Sequence, residues 1–193
     1  MRLPCRLLSS IIAASLELLP LSGMAQSGWI NAQGESVAES PSRKTVQDMG
    51  ASLLLTPDTD WQQKWNTPSD TVPHFTEADH VATGDTLFVL IFLSNPGLDA
   101  QRRADVVCSI RVIDPTGHAA QDTVDAPCLQ TEIGGDPRHV YLAQVSLAVR
   151  AEASDPPGRW QVQVTVNDRR RGIRIPLVSS FTMGRQRQPA KTP

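Results

Sequence analysis

Between Trp160 and Val166 the chain alternates without a fault: Trp160, Val162, Val164 and Val166 are apolar, while Gln161, Gln163 and Thr165 are polar. A period of two sends successive side chains to opposite faces of a strand, so this segment requires a sheet with one dry face and one wet face. The requirement recurs along the chain. Val106, Cys108, Ile110 and Val112 alternate with Val107, Ser109 and Arg111 up to the turn Asp114-Pro115-Thr116-Gly117, and Tyr141, Ala143, Val145, Leu147 and Val149 repeat the pattern. Ile173, Ile175, Leu177 and Phe181 share one face of the last strand, and Ser52 to Thr56 makes a short first strand that Pro57 ends. Leu87 to Leu93 is apolar throughout; too short to cross a bilayer, it suits a central strand covered on both faces. Pro176 cannot donate to a ladder, so it belongs at an edge or a bulge. The exception to the strand pattern is 59–68, where Trp61 and Trp65 stand four apart and one or two helical turns would place both rings on one side. No long amphipathic helix separates the strands, which disfavours parallel βαβ units. The expected architecture is an all-β, antiparallel β-sandwich over residues 51–183.

The flanks differ in composition. Residues 1–25 carry Arg2 and Arg6, an apolar stretch from Leu7 to Leu21, and the small-x-small site Gly23-Met24-Ala25. That order is a secretory signal, with a mature chain starting at Gln26 in the periplasm or outside the cell. Glu17 interrupts the apolar stretch, so a retained soluble or interfacial helix is the alternative. Residues 26–50 have neither apolar period and read as a flexible linker, and 184–193 reads as a disordered basic tail. No Cys follows the cleavage site to take a lipid, and no membrane span is expected after cleavage.

Removal of residues 1–25 takes Cys5 with it and leaves an even count, Cys108 and Cys128. In an oxidising compartment these two are expected to form a disulfide, the alternative being that Cys108 is a buried free thiol. They lie far apart without paired histidines between them, which excludes a zinc motif.

Asp155-Pro156-Pro157-Gly158-Arg159-Trp160-Gln161-Val162-Gln163-Val164 resembles the D-x-x-G-x-aromatic-x-V-x-V corner and strand of immunoglobulin-like and macroglobulin-type sandwich modules in secreted bacterial proteins. The resemblance implies an Ig-like sandwich with this corner ahead of its penultimate strand, and it carries over no catalytic residue. The spacing of Cys108 and Cys128 is short for the inter-sheet disulfide of antibody domains.

Candidate chemistry is sparse. His74, Glu77, Asp79 and His80 could offer donors to a metal, but they lie in a Pro-flanked loop and are expected to be solvated, with no metal bound. Asp114, Asp122, Asp125 and Asp136 are read as turn residues. With no nucleophile elbow, zinc helix or phosphate loop, neither an enzyme nor a cofactor is expected. Eighteen basic against twenty acidic residues argue against nucleic acid as a partner. The leading expectation is an exported, non-catalytic interaction module of the bacterial envelope. Arg169, Arg170, Arg171 and Arg174 would contact another envelope protein or an anionic glycan, unless they form a solvated turn. The second expectation is a carbohydrate-binding module that stacks sugars on Trp61 and Trp65, unless those rings plug one end of the core.

Overall fold

The computed structural model describes Trp29, residues 37–68 and residues 73–184. The secretory pattern, the Gln26 terminus and the tail beyond Gly184 lie outside the described residues. One sheet contains β1 (Arg43–Val46), β2 (Met49–Thr56) and β4 (Thr86–Ser94) in that order, with β7 (Val140–Leu142) and β8 (Leu147–Arg150) both on the far edge of β4. The other runs β3 (His80–Val81), β10 (Ile173–Met183), β9 (Gly158–Asp168), β5 (Val106–Ile113) and β6 (Ala119–Leu129). The chain changes sheet between β2 and β3, between β3 and β4, between β4 and β5, between β6 and β7, and between β8 and β9. Every ladder is antiparallel except that of β3 with β10. This is the crossing pattern of an Ig-like β-sandwich.

The alternation seen in the sequence sets the core. Leu87, Val89, Ile91 and Leu93 of β4 meet Val106, Cys108, Ile110 and Val112 of β5 and Val162, Val164 and Val166 of β9 between the sheets. Ile173, Ile175, Leu177 and Phe181 of β10 are all buried. Pro176 sits exposed on β10, where the next even-numbered residue, Val178, sends its N–H outward to the Pro41 carbonyl (2.8 Å). The N–H that proline lacks therefore belongs to the outer edge, where its loss costs no ladder bond. At the corner ahead of β9, Gly158 takes φ +135° and passes against the Pro115 ring. The Trp160 indole donates to the Pro156 carbonyl (3.0 Å) and stacks on Phe181.

Three expectations need correction. Residues 43–50 are not linker: β1 and the start of β2 form a hairpin whose central residues, Gln47 and Asp48, both have positive φ (47° and 64°). That is the backbone of a two-residue hairpin turn, and a Gln-Asp pair does not announce it as Asn-Gly would. The single strand expected over Tyr141–Val149 is broken. The Ala143 N–H still reaches the Ile91 carbonyl, but the Gln144 N–H turns to the Cys128 carbonyl of the opposite sheet. Finally, Asp122 and Asp125 lie in β6, which as an exposed edge strand has too few apolar residues to show a period.

The outer face of the first sheet is covered as well. Leu90 is fully buried and Phe92 is 8 % exposed, although both point away from the inter-sheet core. They lie beneath a strap formed by 57–68 and 73–78, which contains the five-residue helix α1 (Trp61–Trp65). Trp61 packs at 6.3 Å on Phe88, Trp65 at 5.5 Å on Phe92, and Phe75 at 5.7 Å on Phe92. Asp58 ties the strap together by accepting the Thr76 N–H (2.8 Å) and pairing with Lys64 (2.8 Å). Burial pushes its carboxyl up, but the Lys64 ammonium and the Thr76 donors outweigh that and hold it at about 2.

Cys108 and Cys128 are joined by a disulfide, Cα to Cα 5.4 Å, and both are fully buried. The bond links neighbouring strands β5 and β6 of one sheet, unlike the inter-sheet bond of antibody domains. Replacing both cysteines by Ala is expected to lower the unfolding free energy by about 3 kcal/mol in the chain-entropy account, read from urea curves. Asp58 gives a second prediction. Its carboxyl is depressed from an ordinary 3.8, so its stabilisation is complete above about pH 4 and is lost as pH falls through about 2. Allowing for solvent screening, the contribution is about 1–2 kcal/mol. Asp58→Asn should remove it at neutral pH and flatten the acid limb of the Trp fluorescence profile; coincident profiles would refute the clasp.

Candidate functional site

The four arginines singled out in the sequence surround the β9–β10 turn, and three of them are engaged within the molecule. The turn is organised by Asp168, the last residue of β9 and fully buried. One carboxylate oxygen accepts the N–H groups of Arg170 (2.9 Å) and Arg171 (3.2 Å). The other accepts the Gly97 N–H (2.6 Å) and the Arg171 Nε–H (3.4 Å). Gly97 belongs to the loop that leaves the other sheet, so a single side chain joins the two sheets at this end. Arg171 extends the junction by donating to the carbonyls of Asn95 (2.7 Å) and Gln47 (3.3 Å). Arg170 pairs with Asp99 (2.8 Å) and Arg169 with Asp125 (3.2 Å). The Asp99 carboxyl is held below its usual range by the Arg103 backbone N–H and, against the pull of burial, by the Arg170 charge. Arg174 alone of the four is exposed without an ion pair among the described residues. The positive charge expected to face a partner is thus largely neutralised on site.

Trp61 and Trp65 do share one side of α1, but they are half-buried and turned toward the sheet, at 51° and 46° to Phe88 and Phe92. They cover the outer face of a sheet and do not plug an end of the core. His74, Glu77, Asp79 and His80 are exposed along the strap and β3, and among the described residues no three metal-ligating side chains come together. Asp114 behaves as a turn residue, accepting from the Thr116 N–H, the Thr116 hydroxyl and the His118 N–H, and the Thr116 hydroxyl leads in lowering its carboxyl.

Sheet edges offer little to a pairing strand. β1 is four residues long and β3 is two, while the β7/β8 edge is interrupted. The eleven-residue edge β6 carries Pro127 and a bulge opposite Ser109, where Asp125 takes φ +50°. Short, bulged and proline-bearing edges are the means by which sandwiches avoid edge-to-edge association.

A concavity lies on the other lateral side, where β2 and β10 approach. Two segments stitch these edges together. Ser42 and Pro41 accept the N–H groups of Leu53 and Val178 (both 2.8 Å). Farther along, Ala78 donates to the Leu55 carbonyl (3.0 Å) and Asp79 accepts the Thr182 N–H (2.7 Å). Between the stitches opens a groove of about 800 Å³ whose lining includes Leu54, Ser179, Ser180 and the edge of the nearly buried Phe92. Arg43, Glu77, Asp79 and Trp29 complete its rim. The Trp29 indole lies against Gly50, where a Cβ would meet the ring at 3.3 Å, and its buried Nε1–H has no hydrogen-bond partner among the described residues. A second cavity of about 120 Å³ shares the Trp29 wall and also borders the Thr45 hydroxyl, which has no hydrogen-bond partner among the described residues.

The sequence reading passed over both Asp168 and this groove. Asp168 had a local signal, an Asp followed by a short polar turn, which favours a side chain bonded to the N–H groups two and three residues on. The groove had none, because its lining comes from six separate stretches of the chain.

Comparison with known proteins returns no matching family model and no matching curated protein. Among solved structures, the chain is similar to a family 123 glycoside hydrolase from Clostridium perfringens, at 13 % identity and a TM-score of 0.40, over 73 % of this chain and 28 % of that one. It is also similar to the CARDB domain of the PF1109 protein from Pyrococcus furiosus, solved with di-metal ions, at 7 % identity and a TM-score of 0.37, over 77 % of this chain and all of that one. A third is the alkylpurine DNA glycosylase AlkC of Pseudomonas fluorescens bound to DNA, at 17 % identity and a TM-score of 0.34, over 55 % and 28 %. This chain spans little more than a quarter of the two enzymes' length. The glycan, DNA and metal ions in these descriptions belong to those proteins.

Proposed function

We propose that this chain is an exported, non-catalytic binding module of the cell envelope, and that its ligand lies in the groove between β2 and β10. The observation that carries the reading is the groove itself. At about 800 Å³, lined by apolar and polar side chains together, it has the size of a ligand site. Export is supported by the buried Cys108–Cys128 disulfide, a bond that persists in oxidising compartments, together with the N-terminal sequence pattern.

An anionic partner at the β9–β10 turn finds less support, since three of the four arginines there already hold carboxylates of the same chain. A sugar platform on Trp61 and Trp65 finds less support too, because each ring leans on a phenylalanine of the sheet.

The test has two parts. Cell fractionation with non-reducing peptide mapping should recover the chain from the exported fraction with its disulfide intact. The purified chain should then retain an envelope component from an extract, and Ser180→Arg in the groove wall should abolish retention while Arg174→Glu leaves it unchanged. A cytoplasmic chain with free thiols would refute export, and retention equal for both variants would refute the groove.

A further inference from the structure

Resting on the groove as the binding surface, we infer that its ligand is a short neutral glycan and not a peptide strand or a polyanion. The backbone argues first. A strand adding to β10 needs a run of outward N–H and C=O groups, and β10 supplies these from its even-numbered residues. Pro176 lacks the N–H, Val178 is bonded to Pro41, and Thr182 is bonded to Asp79. Only Ser180 remains between the two stitches. On the facing edge, Leu53 and Leu55 are bonded to Ser42 and Ala78. The slot admits a compact ligand and closes to an extended chain.

Charge argues next. Glu77 and Asp79 outnumber Arg43 on the rim, and both are exposed, so a polyanion would meet net negative charge. The arginine turn, which would attract one, lies at the other end of β10. From Ile173 to Ser180 is about 23 Å of extended strand.

The remaining groups suit a sugar. Ser40 and Ser42 hydroxyls lie 3.1 Å apart at one end of the groove, and Ser179 and Ser180 line its wall. The serine hydroxyls can both donate to and accept from ligand hydroxyls, and the Glu77 and Asp79 carboxylates accept from them, as a polyol requires. Leu54 and the Trp29 indole supply apolar surface for the C–H faces of a pyranose.

The four tryptophans allow a direct reading, because the full chain has only Trp29, Trp61, Trp65 and Trp160 as sources of indole N–H signals. The isotope-labelled, disulfide-intact chain would be titrated by NMR with cellotriose, maltotriose and N-acetylglucosamine trisaccharide, and with trigalacturonate as the anionic control. The expected result is a saturable shift of the Trp29 indole and the Ser180 and Leu55 amides with at least one neutral trisaccharide, with a dissociation constant of about 1 mM. Trp61 and Trp65 should not move, and trigalacturonate should bind more weakly. Glu77→Gln, at an exposed position and so safe for folding, should weaken binding about fivefold through loss of one hydrogen bond. Ser180→Arg should abolish it while leaving signal dispersion intact. Silence of the groove with all three neutral sugars, or shifts confined to Trp61 and Trp65, would overturn the glycan assignment. If envelope capture still depended on Ser180 in that case, the binding module would stand and only its ligand class would fall. Loss of both would remove the groove altogether.

Discussion

A carboxylate with no access to water must find its solvation inside the protein, and at Asp168 four N–H groups supply it. Those donors come from the β9–β10 turn and from the loop leaving β4, so satisfying one side chain determines where two sheets meet. The demand propagates outward. Gly97 must approach so closely that a Cβ there would sit 2.7 Å from Cγ of Arg171 and 2.9 Å from Cβ of Arg170. Arg171, placed by Asp168, then reaches the carbonyls of Asn95 and Gln47 and fixes the β1–β2 turn against the same end. Arginines that look like a charged tip in the sequence are fasteners in the fold.

That placement decides where a ligand can act. One end of the sandwich is closed by the Asp168 junction, and the outer face of the first sheet is closed by the strap that Asp58 clasps. The long edge β6 is blunted by its bulge and Pro127. Between the β2 and β10 edges the chain is stitched twice but not sealed, and polar and aromatic side chains converge there. The groove lies clear of the Asp168 junction and of β6.

Much of this was legible in the sequence wherever a local period carried the information. The Trp160–Val166 strand, the doubly covered Leu87–Leu93 strand, the β10 core face and the Cys108–Cys128 bond all follow from alternation, length or cysteine parity. Elements that depend on distant partners were not legible. The β1–β2 turn places Gln47 and Asp48 at positive φ and gives a carbonyl to Arg171, and after Leu142 the Gln144 N–H goes to Cys128 of the other sheet. The arginines show the same limit: Asp99 and Asp125 lie 71 and 44 residues from the side chains they neutralise. Their spacing says charge, and only the fold says that the charge is answered.

Two arginines on the same hairpin separate the fastening role from a partner-facing one. Arg171 is bonded to Asp168, Asn95 and Gln47, whereas Arg174 is exposed without an ion pair among the described residues. The direct measurement is the unfolding free energy of Arg171→Ser beside Arg174→Ser. Arg171→Ser should lose about 1–3 kcal/mol, because a buried carboxylate and two carbonyls lose a charged donor. Arg174→Ser should stay within about 0.5 kcal/mol of the parent. Equal and negligible losses would contradict the account and return all four arginines to the solvent.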